Sequence, residues 1–168
     1  MTQTQKVESF VTSRTVNAPL DLVWKVWTEK DHLMKWFSPA GSTVVYNIMD
    51  FRPGGFMHYC LKTEDGTEMW GKSIYREIHP KTNVVWITTF SDKDGGLQTH
   101  PFAPTWPKEM LTAMTLTAEG EKTKVTIQWD PINATEEEIA TFDSTRGGMN
   151  QGWSGTFGQL EAYLKDLQ

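Results

Sequence analysis

From residue 43 to residue 132 the chain is punctuated by turn-forming clusters: Arg52-Pro53-Gly54-Gly55, Glu64-Asp65-Gly66, His79-Pro80-Lys81-Thr82, Asp92-Lys93-Asp94-Gly95-Gly96 and Glu119-Gly120-Glu121. Glycine reaches positive φ, proline presets φ, and Asp-Gly or Gly-Gly pairs favour tight reversals. The segments between them, 43–50, 56–62, 68–78, 83–91, 109–118 and 124–132, are rich in β-branched and aromatic residues and read as strands. Short strands joined in sequence by hairpins make an antiparallel sheet. Such a sheet carries an apolar face that another element must cover. That requirement constrains the fold more than any other feature.

The covering element is expected at the C-terminal end. Thr135 and Glu138 fit a capping box, with Glu136 and Glu137 at the positive helix start. Apolar positions follow at Ile139, Phe142, Met149, Trp153, Phe157, Leu160, Leu164 and Leu167. Gly147, Gly148, Gly152, Gly155 and Gly158 weaken this helix, each by about 1 kcal/mol relative to alanine. A break is expected near Gly147-Gly148, and the small residues are expected to let the helix approach the sheet or leave interior room. Ahead of the sheet, 6–16 reads as a first strand, and Asn17-Ala18-Pro19 ends it. Leu20, Val23, Trp24 and Trp27 mark a short helix over roughly 20–29. A second, roughly 30–37, carries Leu33, Met34, Trp36 and Phe37 and stops at Ser38-Pro39-Ala40-Gly41. Residues 97–108 hold three prolines and are expected to be irregular. The fold class is therefore α+β: a helix-grip fold with a curved antiparallel sheet of about seven strands around a long C-terminal helix, and two short helices between strands 1 and 2. Residues 1–6 read as a flexible tail and 7–168 as a single domain.

Composition removes several function classes. The net charge is −5, which argues against nucleic acid, whose phosphates are met by Lys and Arg. It also argues against an anionic membrane surface. No apolar run approaches the length of a membrane span, and the first ten residues do not read as a signal peptide. A single cysteine, Cys60, allows no internal disulfide and no cysteine cluster for zinc. The reading is a cytoplasmic protein with no membrane and no nucleic-acid partner, no cofactor and no metal.

Several short patterns, in order, resemble the START-like (SRPBCC) superfamily, in the branch of the activator of the heat-shock protein 90 ATPase. These are Asn17-Ala18-Pro19 with Val23-Trp24, Leu33-x-x-Trp36-Phe37-x-Pro39, Arg52-Pro53-Gly54-Gly55, and Tyr75-Arg76-Glu77-Ile78-x-Pro80. Trp106-Pro107-x-Glu109-Met110 and Gly152-Trp153 with Leu160 and Tyr163-Leu164 complete the set, which spans about residues 7–168. The resemblance implies a helix-grip fold with a cavity. It also implies a range of roles: lipid or polyketide binding, self-sacrificing resistance, aromatase/cyclase activity, or a co-chaperone domain with a chaperone partner.

The residues themselves point most strongly to rings. Eight Trp, eight Phe, four Tyr and eight Met suit either an aromatic core or a ring-lined cavity. Strand alternation turns Tyr59, Tyr75, Trp86, Met114 and Trp129 inward, and makes Glu77, on the face of Tyr75, a further candidate. Met149, Trp153 and Phe157 are expected to meet them from the helix, with Trp36 and Phe37 closing one end. The expected partner is a hydrophobic or aromatic small molecule held between sheet and helix. Phe102 and Trp106 are candidates for a lid over it. A second reading is a cyclase- or hydrolase-type enzyme, for which Glu77, Tyr75 and His58 are the nominees. A third is a co-chaperone-like module working through its surface. His58 and Cys60 share a strand face, and either a metal site or a reactive thiol there competes with a plain half-buried cysteine.

Overall fold

The computed structural model describes residues 7–38, 41–101 and 103–168. The expected tail, Pro39 and Ala40 of the second-helix exit, and Phe102 of the expected lid lie outside the described residues. Strand β1 (Phe10–Val16) leads into helices α1 (Leu20–Thr28) and α2 (Lys30–Trp36). Strands β2 (Ser42–Met49), β3 (Phe56–Thr63), β4 (Glu68–His79) and β5 (Asn83–Ser91) follow. A two-residue strand β6 (Leu97–Gln98) precedes β7 (Glu109–Glu119) and β8 (Lys122–Ile132), and the chain ends with α3 (Glu136–Ser144) and α4 (Arg146–Asp166).

The sheet is antiparallel throughout, in the order β1-β8-β7-β5-β4-β3-β2, with β6 appended to β5. The turn signals account for this. Gly54, Gly66, Gly95 and Gly120 all sit at positive φ in the expected turns. β6 is an addition to the expected irregular stretch: it pairs with Phe90 and Ser91 before the first of the three prolines. Register rows fix the faces. Phe10, Trp129, Thr112, Trp86 and Tyr75 form one row across five strands. Tyr59 and Gly71 belong to the same, inner face, where the core cluster holds Met57, Tyr75, Met114, Leu116, Val125 and Ile127. Phe157, Leu160 and Leu164 of α4 close that cluster from the other side. Val23, Val26, Leu33 and Trp36 of α1 and α2 join it at one end. A second cluster, Phe10, Met110, Phe142 and Met149, lies where α3 meets α4. This is the expected helix-grip arrangement.

Three local expectations change. First, the helical break falls at Thr145, ahead of the glycine pair, which lies inside the first turn of α4. The break is held by polar contacts rather than by glycine freedom: Thr145 Oγ1 donates to Thr141 O, and Arg146 binds Asp143 and the carbonyls of Glu8 and Ser9. Second, the α4 glycines do not make interior room. A Cβ at Gly147, Gly152, Gly155 or Gly158 would meet nothing within 4 Å, and all four are exposed. They lie on the solvent side of the helix, so the core is not thinned by them. Third, the alternation of β4 slips between Tyr75 and Glu77, because Arg76 is bulged out of the pairing. Tyr75 stays inside and Ile78 turns in, but Glu77 pairs in register with Val85 and faces out. It is exposed and meets His79 at 3.2 Å.

The capping box of α3 forms as the sequence suggests. Glu138 N donates to Thr135 Oγ1 at 3.1 Å, and Thr135 N donates to Glu138 Oε1 at 2.9 Å. Thr135→Ala is expected to lower stability by about 1 kcal/mol in urea unfolding, because it unpairs a helix-start amide and leaves Glu138 half-engaged.

Candidate ligand site

The residues expected to line a cavity fall into three groups along the inner face. At the α2 end, the Phe37 ring meets Tyr59 edge-on, with centroids 5.0 Å apart and planes at 90°. Tyr59 lies across Gly71, so closely that a Cβ at position 71 would overlap its Cζ and Oη. Tyr75 packs edge-on against Phe51 at 4.9 Å. Trp36 is buried beside them but is committed to the helical pair: its indole donates to Val26 O at 3.0 Å and its ring touches Trp27 at 4.7 Å. In the middle, Trp86, Met114 and Phe157 belong to the main core cluster. At the α3 end, Trp129 and Trp153 meet edge-on at 5.5 Å, and Met149 packs in the second cluster. Trp106, from the expected lid, touches Trp129 and Phe142. Rings from sheet and helices therefore meet one another in pairs across the interior.

What distinguishes this interior from a plain core is its polar atoms. The indole nitrogens of Trp27, Trp129 and Trp153, and both amide atoms of Asn47, are buried without a hydrogen-bond partner. Buried polar groups are nearly always paired, and each exception costs about 1–3 kcal/mol. Asn47 lies in register with Tyr59, on the inner face. The two phenols add polar atoms that stay neutral: burial pushes Tyr59 up to about 12, and burial followed by the nearby Tyr59 pushes Tyr75 up as well. Asn47 and Trp27 were not legible as site residues. The one signal in the sequence is a lone amide in the otherwise apolar run Val44–Met49, whose alternation is interrupted by a bulge at Val45.

The residues nominated for catalysis do not converge. Tyr75 faces in, Glu77 faces out, and His58 lies on the outer face, its Nε2 3.0 Å from Asp92 O and its ring 5.1 Å from Trp70. Cys60 stands beside His58 on that outer face, and its thiol donates to Glu68 at 3.5 Å. Burial first, then Glu68, pushes the thiol up to about 11, so it is protonated and a poor nucleophile. Among the described residues, no three His, Cys, Asp or Glu side chains come together as a metal site. An open cleft of about 570 Å³ lies away from the ring pairs, lined by Asn17, Glu161, Ala162, Leu164, Lys165 and Gln168. None of the expected cavity residues borders it.

A sheet gripping a C-terminal helix, with rings meeting across the gap, defines a START-like helix-grip protein. The chain belongs to the activator of Hsp90 ATPase homolog 1-like family, whose model matches residues 17–165. No curated protein matches the chain with significance. Among solved structures, a protein from Nitrosomonas europaea is similar at 22% identity and a TM-score of 0.73, over 94% of each chain. One from Arthrobacter aurescens is similar at 22% identity and a TM-score of 0.75, over 94% of this chain and 86% of that one. One from Rhodobacter sphaeroides is similar at 16% identity and a TM-score of 0.75, over 95% of this chain and 94% of that one. At such identities the likeness shows the fold. No helix among the described residues is long and apolar enough to cross a membrane.

Proposed function

We propose that this protein binds a hydrophobic or aromatic small molecule between the inner face of the sheet and α4. The observation that carries the reading is the set of buried, unpartnered polar atoms on Trp27, Asn47, Trp129 and Trp153 within a ring-lined interior. Apolar walls with a few convergent polar groups are the usual character of a small-molecule site. Entry requires separating ring pairs, each worth about 0.5–1.5 kcal/mol. A two-ring ligand that buries about 200 Å² gains about 5 kcal/mol, and its rings replace the apolar area and contacts of the pair they separate. Membership of the family is compatible with a chaperone partner as well, but the interior polar atoms favour the small molecule. The single cysteine, Cys60, is free and buried, which suits a reducing compartment, and the cytoplasm is the location we propose.

The test is titration with N-phenyl-1-naphthylamine, a neutral dye that brightens in apolar surroundings. The expected result is saturable emission at one dye per folded chain, with a melting temperature that climbs with dye concentration, as linkage requires. Emission no brighter than with the urea-unfolded chain, and an unmoved melting temperature, would overturn the reading.

A further inference from the structure

Among the described residues, Asn47 is the side chain with two buried polar atoms that both lack a partner. An amide offers two donors and an acceptor oxygen. Asn47 is 8% exposed, and neither its Nδ2 nor its Oδ1 has a partner. Its orientation is fixed by the strand. The irregularity at Val45 sends Tyr46 to the outer face, against His58 and Trp70, and the next residue therefore turns in opposite Tyr59. Tyr59 itself lies over Gly71, where the absence of a side chain leaves room for its ring.

The charge around Asn47 is equally informative. Lys62 of β3, Arg76 and Glu77 of β4, and Lys35 of α2 are exposed. Lys72 lies on the outer face, over the Phe56 ring. Arg14 turns inward, but on β1 at the opposite edge of the sheet, where Glu161 and Ser154 engage it. Among the described residues no Lys or Arg is buried, and the polar side chain in register with Asn47 is the Tyr59 phenol, held neutral by burial.

We infer that Asn47 is the polar anchor of the interior site, and that it recognises an uncharged carboxamide-type head, primary amide or lactam, on an aromatic or alicyclic ligand. Such a head presents a donor and an acceptor side by side, the complement of the Asn47 amide. A carboxylate finds no buried cation there among the described residues, and a hydrocarbon leaves the amide unpaired. The inference rests on the small-molecule reading above.

The experiment uses N-phenyl-1-naphthylamine to report occupancy and three competitors of one shape: 2-naphthamide, 2-naphthoate and 2-isopropylnaphthalene. In the native protein 2-naphthamide is expected to displace the dye at lower concentration than 2-naphthoate. In Asn47→Leu, and independently in Asn47→Val, displacement by 2-naphthamide is expected to weaken about tenfold or more, because a site built to hydrogen-bond discriminates strongly once one partner is gone. The 2-isopropylnaphthalene competition, which makes no hydrogen bond to Asn47, is the reference for that change, and neither variant should melt below the native protein, since an unpartnered amide gives way to an apolar group. If the dye does not bind the native chain, the small-molecule reading fails and the anchor fails with it. If the dye binds but the amide-to-hydrocarbon ratio is unchanged in both variants, the anchor alone is wrong. The anchor is equally wrong if 2-naphthoate competes as well as 2-naphthamide, a comparison that holds even if both variants fail to fold.

Discussion

Phe157→Ala is expected to cost about 3–5 kcal/mol of folding stability, the range for truncating a buried phenylalanine. Phe157 is 1% exposed and sits midway along α4, where the helix meets the sheet. Its ring lies 5.7 Å from Trp153, and the Arg14 guanidinium stands 5.7 Å from its centroid. Arg14 is also tied to Glu161 and Ser154 of the same helix. Removing the ring therefore opens a cavity and loosens the clamp between β1 and α4. A loss of this size is a large share of the roughly 5–15 kcal/mol that holds a typical domain folded. In thermal melts it corresponds to a fall of about 6–20 °C. A loss under about 1.5 kcal/mol would mean that α4 is not packed on the sheet as described.

The glycines on the opposite side of α4 give the second large effect, with the opposite sign. Replacing Gly152, Gly155 and Gly158 together by alanine is expected to raise stability by about 2–3 kcal/mol, close to the sum of three helix-propensity differences. All three lie within the helix, are exposed, and have no atom within 4 Å of where a Cβ would stand. They gain nothing from close approach, so only their conformational cost remains. Urea unfolding of the triple variant measures the gain. A loss of stability instead would show that the glycine face packs against something.

These two sides of α4 show what sequence could and could not convey. The turn clusters and alternating segments announce the sheet, and the spacing of Phe157, Leu160 and Leu164 announces the helix that grips it. Glycines at 152, 155 and 158 carry no orientation of their own, so their solvent-facing placement emerges only once the apolar stripe is docked. Glu77 shows a different limit. Period-two alternation is lost at a bulge, and nothing in Tyr75-Arg76-Glu77 marks Arg76 as the extra residue. The ring pairs between sheet and helix were legible as a class, from inward alternation. Asn47 was not, because its strand is apolar on both faces and its bulge hides which side the amide takes. The nominated catalytic trio dissolves on two grounds: the bulge at Arg76 turns Glu77 out, and His58, next to the inward Tyr59, takes the outer face by plain alternation.

Ligand entry between the sheet and α4 is probed without any substitution by a two-dimensional nitrogen–proton spectrum of the tryptophan indoles, recorded as N-phenyl-1-naphthylamine is added. Trp27, Trp129 and Trp153 carry buried, unpartnered indole N–H groups on the inner side, whereas Trp70 stacks with Tyr46 and His58 on the outer face. Indole signals of the inner set are expected to move with the dye while Trp70 stays in place. Movement of Trp70 alone, or of none of the indoles, would rule out an interior site.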